Sequence, residues 1–188
     1  MKKVAVLVSG GGTNLQALLD SGVEIALVVS SKKDAYALTR AEKHNIKTAI
    51  VEWSEYSKDR ERFSRDILDI LVSNKIELVV YAGFMVILSD CVCEAFPNAM
   101  VNVHPSLIPA FCGEGYYGIK VHRAALERGV KISGATVHFV NNICDGGPII
   151  MQKAVPVYED DTPETLQARV MEAEREILPA AVKQLIKQ

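Results

Sequence analysis

Five consecutive apolar residues, Val4 to Val8, run directly into Ser9-Gly10-Gly11-Gly12, and a helix-like stretch from Asn14 to Leu19 follows. A strand that is apolar at every position has to be covered on both faces, which places it in a parallel sheet flanked by helices. The glycines then allow a tight exit into the next element. The same alternation continues along the chain. Glu24 to Val29 reads as a second strand, about Ala35 to His44 as a helix, and Thr48 to Val51 as a short third strand. A longer helix comes next, with Phe63, Ile67, Ile70 and Leu71 on one face at 3.6-residue spacing. Leu78 to Ala82 is again continuously apolar.

Asp90 to Phe96 predicts a short helix, Ala99 to His104 a strand, Tyr117 to Arg128 a helix, and Ser133 to Val140 and Ile149 to Val157 two later strands. Thr162-Pro163 supplies an N-cap and a proline at the first helical position, opening a final helix to about Leu185 with a bend near Pro179. The order of elements predicts an α/β fold, a mostly parallel Rossmann-like sheet with helices on both faces and right-handed crossovers. No repeat, low-complexity segment or linker interrupts it, so residues 1–188 read as a single domain.

Composition narrows the function classes. With 188 residues, 49% of them hydrophobic, the chain can bury a substantial core. Its net charge of −2 offers no electrostatic footprint for nucleic acid or an anionic membrane. The apolar run behind Met1-Lys2-Lys3 ends at Ser9, too early for a secretory signal, and no later run is long enough to cross a bilayer. Cys91, Cys93, Cys112 and Cys144 form no C-x-x-C pair and no zinc-finger spacing, so no metal site is indicated. Reduced thiols in a cytoplasm are the expectation.

Three segments carry candidate chemistry. Gly10 to Gly12 would let backbone amides approach an anion, and the helix behind them adds its positive end. Leu15 stands where G-x-G-x-x-G needs glycine, Ser30-Ser31-Lys32 lacks the acidic residue that reads a ribose, and no lysine follows Gly12 as Walker A requires. A single phosphate is the ligand that survives; a plain strand-to-helix turn is the alternative. In Met100-Val101-Asn102-Val103-His104-Pro105, period two puts Asn102 and His104 on one strand face, and Pro105 ends the ladder behind them. Imidazolium and amide together can donate to a developing oxyanion, as acyl or formyl transfer requires. Cys144-Asp145-Gly146-Gly147-Pro148 reads as an Asp-Gly turn, or as a longer loop that aims the Asp145 carboxylate at a positive charge on His104. His44, His122 and His138 read as structural.

Ser9-Gly10-Gly11-Gly12-Thr13-Asn14-Leu15-Gln16, Ala82-Gly83-Phe84-Met85, Asn102-Val103-His104-Pro105-Ser106-Leu107-Ile108-Pro109 and Asp145-Gly146-Gly147-Pro148, in this order, resemble the folate-dependent phosphoribosylglycinamide formyltransferase family. The resemblance runs from the first strand to the last helix. It implies the Rossmann-like formyltransferase fold and formyl transfer from 10-formyltetrahydrofolate, a cosubstrate, to the amine of glycinamide ribonucleotide. It further implies that Asn102, His104 and Asp145 are catalytic and that Gly12, Thr13, Asn14 and Glu174 hold the ribonucleotide. Arg60, Met85, Val86, Ile87, Leu88, Asn102 and Asn141 would then border the folate.

Small-molecule substrates and a monomer or homodimer are expected, with no nucleic-acid or membrane partner. Val86 stands where this family usually has arginine, Asp90 where proline is common, and Cys112 interrupts a Phe-Pro-Gly-like segment. A formyltetrahydrofolate deformylase shares the Asn/His/Asp trio but carries an extra N-terminal domain. Methionyl-tRNA formyltransferase would need an RNA-binding domain. A non-catalytic nucleotide-binding module would want the missing sixth-position glycine.

Overall fold

All five residues of β1 (Val4–Val8) are buried, as their uninterrupted apolar run demands. Val4, Val6 and Val8 face one core and Ala5 and Leu7 the other, so the strand lies between two helical layers. The computed structural model describes residues 1–187. In it β1 is an interior strand of a seven-stranded sheet with β2 (Ile25–Ser30), β3 (Lys47–Ile50), β4 (Leu78–Tyr81), β5 (Met100–His104), β6 (Ile132–Phe139) and β7 (Ile149–Pro156). The spatial order is β3-β2-β1-β4-β5-β6-β7. The first five strands pair in parallel, while β5 with β6 and β6 with β7 are antiparallel.

One core packs the sheet against α1 (Thr13–Asp20), α2 (Tyr36–Lys43), α5 (Ile119–Arg128) and α6 (Pro163–Leu185). The opposite core is built by α3 (Arg60–Ser73) and α4 (Asp90–Ala95). On α3, Phe63, Ile67 and Leu71 are fully buried, while Ile70 packs only at the margin because it sits a turn edge away from the stripe. A short 3-10 turn, Trp53–Tyr56, precedes α3 and sets Trp53 and Tyr56 edge-on to Phe63. No apolar periodicity in so short a segment announces it. At α6 the Thr162 hydroxyl and Thr165 form a capping box around Pro163, and the helix is unbroken to Leu185 with Pro179 buried inside it. No helix among the described residues is long and apolar enough to cross a membrane.

Candidate active site

In parallel sheets, ligands collect outside the carboxyl ends of the strands where the strand order reverses. Here the reversal falls at β1, whose neighbours β2 and β4 follow it on opposite sides. A cavity of about 740 Å³ opens at that edge. Thr13, Asn14 and Glu174 line one part of it, the Phe84 to Leu88 segment another, and Asn102, His104 and Asp145 stand between the two.

Sheet register brings the polar centre together. Asn102 on β5 lies opposite Tyr81 on β4 and opposite His138 on β6, and His104 lies opposite Thr136. Pro105 and the loop behind it leave the sheet immediately after His104, so the imidazole projects from the strand end. Its Nδ1 is 3.4 Å from Asp145 Oδ2, and its Nε2 is 2.8 Å from the Phe111 carbonyl. In the neutral ring, His138 Nδ1 donates to the Phe139 carbonyl at 2.8 Å and Nε2 accepts from Asn102 Nδ2 at 3.2 Å. Asp145 Oδ1 lies 3.6 Å from the same His138 nitrogen.

Asp145 sits in a turn and faces His104 from it. The Gly146 N–H bonds the Ile143 carbonyl at 2.9 Å, closing a turn whose third residue, Asp145, has φ 53°, a conformation Asp and Asn tolerate better than most residues. The turn aims the carboxylate inward, where its side chain is only 10% exposed and accepts from the Gly113 N–H at 2.9 Å. Burial pushes this carboxyl up. A hydrogen bond from protonated His138, the positive charge of protonated His104 and the Gly113 amide outweigh that cost and hold it below the ordinary carboxylate range.

At the other end of the cavity, Gly12 caps α1 in the left-handed region (φ 71°), with no side chain satisfying the first helical amides. A Cβ on Gly12 would sit 2.7 Å from the Ala37 Cβ, so this glycine is required by its φ and by the close approach of α2. The loop carbonyls are tied away: Gly10 accepts from the Ala37 N–H at 3.0 Å and Gly11 from Arg40 Nε at 2.8 Å. Thr13 and Asn14 line the cavity; Gly12 stands just behind them. Asn14 Nδ2 donates to Glu174 Oε2 at 2.9 Å, joining the α1 N-terminus to α6. Burial raises the Glu174 carboxyl, against the Asn14 bond and the Arg175 charge.

Met85, Val86, Ile87, Leu88, Arg60 and Asn141 all border the cavity. Met85 and Ile87 stand about half exposed at its mouth, and Arg60 opens α3 beside them. The Ser9 hydroxyl ties this wall to the glycine loop, accepting from the Met85 N–H at 2.9 Å and meeting the Ser31 hydroxyl at 2.7 Å. Among the described residues no cluster of three His, Cys, Asp or Glu could hold a metal ion.

Among the cavity residues that the sequence did not single out, three lie near the polar centre. His138 and His122 were expected to be structural, yet both line the cavity, as does Tyr81. For His138 a signal existed: it shares a two-residue period with Thr136 on a strand otherwise apolar and small. Only the antiparallel register with β5 turns that signal into a contact. His122 carries no such signal within its helix.

The formyl transferase family model matches residues 2–182 of the chain. A phosphoribosylglycinamide formyltransferase of Haemophilus influenzae is 41% identical over 97% of this chain and 86% of its own. The crystal structure of glycinamide ribonucleotide transformylase 1 from Symbiobacterium toebii superposes with a TM-score of 0.90 at 41% identity, covering 97% of this chain and 86% of that one. The chicken trifunctional purine biosynthetic protein adenosine-3 is 43% identical over 96% of this chain, which spans only 18% of that protein's length. The chain therefore belongs to the formyl transferase family. Within it, the nearly full-length likeness to the Haemophilus and Symbiobacterium proteins puts it among the phosphoribosylglycinamide formyltransferases.

Proposed function

We propose that the chain transfers the formyl group of 10-formyltetrahydrofolate to the amine of glycinamide ribonucleotide in de novo purine biosynthesis, and that Asn102, His104 and Asp145 carry the transfer. The observation behind this reading is the approach of Asp145 Oδ2 to His104 Nδ1 at 3.4 Å, beside the Asn102 amide and inside a cavity of about 740 Å³. A cavity of that size suits substrates of this class.

The two halves of the cavity suit two different substrates. Phe84, Val86, Leu88 and Val140 offer apolar surface to a flat heterocycle, with Asn141 at its rim and the Arg60 guanidinium placed for a carboxylate tail. At the opposite end, the uncapped amides behind Gly12, from Thr13 and Asn14, suit a phosphate, and Glu174 suits the hydroxyls of its sugar. When bound, the folate supplies an electrophilic formyl carbon and a nitrogen leaving group.

Attack by the neutral amine places an oxyanion on the formyl carbon. Asn102 donates an amide hydrogen to it, and His104 donates from Nε2 by exchanging the Phe111 carbonyl for the oxyanion. Asp145 compensates the positive ring and takes the proton lost by the amine, directly or through a water. His104 delivers a proton to the leaving nitrogen, so one proton leaves and one arrives. His138 holds the Asn102 amide in place through its Nε2 lone pair. The setting is a cytoplasm, the substrates are small molecules, and the unit is one formyltransferase domain over 1–188 acting as a monomer or homodimer.

His104→Ala and Asn102→Ala test the assignment. Each should lose about 10²–10³ in kcat with little change in KM, because both donors act on charge present mainly in the transition state. Wild-type kcat in either variant would remove that residue from the mechanism.

A further inference from the structure

His122 lies on α5 with 1% of its surface exposed, and its Nδ1 is buried with no hydrogen-bond partner. An isosteric apolar residue would avoid the cost of that orphan nitrogen, so packing alone does not account for an imidazole here. The ring also borders the cavity. Since Nδ1 is sealed from solvent, the ring meets the cavity with its other edge, which carries Nε2.

The tautomer follows from the same sealing. A buried lone pair without a donor costs less than a buried N–H without an acceptor, so Nδ1 keeps the lone pair and Nε2 carries the hydrogen. Burial, reinforced by the charge of nearby His104, pushes the His122 ring down to about 4, and it is neutral at physiological pH. It therefore offers the cavity a single uncharged donor. A phosphate dianion has the free amides of α1 instead. α5 packs on α6, the helix that carries Glu174, which puts His122 on the ribonucleotide side of the site.

Building on the proposed function, we infer that His122 is a further ribonucleotide-binding residue, its Nε2–H donating to an uncharged oxygen of that substrate, a sugar hydroxyl or the amide carbonyl. The orphan Nδ1 is the stability cost of presenting that donor.

Calorimetric titration of glycinamide ribonucleotide and of a folate analogue into wild type, His122→Phe and His122→Gln tests it. The phenylalanine keeps a flat ring without nitrogens, and the glutamine restores an N–H near Nε2. Ribonucleotide affinity should fall roughly tenfold in His122→Phe and recover in His122→Gln, with folate affinity constant and the thermal midpoint of His122→Phe at or above wild type. Unchanged ribonucleotide affinity in folded His122→Phe would overturn the inference. Should the phenylalanine fail to fold, the ¹⁵N resonance of His122 Nε2 in the wild-type protein decides: a shift on adding ribonucleotide supports the bond, and none overturns it. If wild type binds the folate analogue but no ribonucleotide, the proposed function itself falls, an outcome distinct from a loss confined to the variant.

Discussion

Asn102 and His138 stand opposite each other in the antiparallel β5/β6 pair, with Asn102 Nδ2 donating to His138 Nε2 at 3.2 Å. The pairing fixes which way the amide faces. While the His138 ring is neutral with its Nδ1 hydrogen on the Phe139 carbonyl, Nε2 accepts, so the Asn102 nitrogen is turned toward it and keeps a second hydrogen for the cavity.

His138→Leu should therefore lower kcat roughly tenfold by releasing the Asn102 amide, the worth of about one hydrogen bond. His138→Gln, whose carbonyl can accept in place of Nε2, should recover much of that loss. Saturating both substrates and comparing kcat for the three proteins checks it; equal values would make the pairing incidental.

Asp145→Asn keeps a residue that tolerates φ 53° and removes only the charge between two histidines. Turnover should drop by at least about 10²-fold while the protein stays folded. Because the folded carboxyl titrates below its unfolded value, its stabilising contribution is present above the ordinary carboxylate range and is lost as pH falls through the folded value. The midpoint gap between wild type and Asp145→Asn should accordingly close on acidification, as followed by thermal melts across pH.

Gly147→Ala should do the opposite of Asp145→Asn, leaving every catalytic group in the sequence but harming the fold. A methyl at Gly147 would overlap the Phe139 carbonyl oxygen, so the loop that delivers Asp145 must shift. Stability should fall by about 1–3 kcal/mol, with turnover reduced alongside it. Chemical denaturation with a parallel rate assay measures both.

Glu174 carries the reverse pH signature from Asp145. Burial raises its carboxyl, so the neutral form stabilises the fold fully below the unfolded value, and that contribution disappears as pH rises through the folded one. Glu174→Gln, still able to accept from Asn14, should melt higher than wild type at alkaline pH and converge with it in acid. Its ribonucleotide affinity should fall. Melts at several pH values and a ribonucleotide titration test both halves.

These contrasts mark how far residues alone reach. The strands β1, β2 and β4 were legible because they are too apolar to lie anywhere but between helices. That β6 and β7 turn antiparallel was not, since pairing direction leaves no mark on periodicity. The same holds in the site. Asn102 and His104 declare a shared face by their spacing, whereas His138 enters through register with another strand and His122 through packing of a distant helix. Gly12 was legible as a glycine, but not for its contact: its φ and the close approach of Ala37 both exclude a side chain there.

The most direct test of the central claim is the stoichiometry and dependence of folate release. Wild-type protein is mixed with 10-formyltetrahydrofolate, and release of tetrahydrofolate is followed by absorbance with and without glycinamide ribonucleotide. The account predicts release only when the ribonucleotide is present, one formylated ribonucleotide for each folate freed, and loss of that signal in His104→Ala. Release at the same rate without ribonucleotide, with free formate as the product, would contradict it.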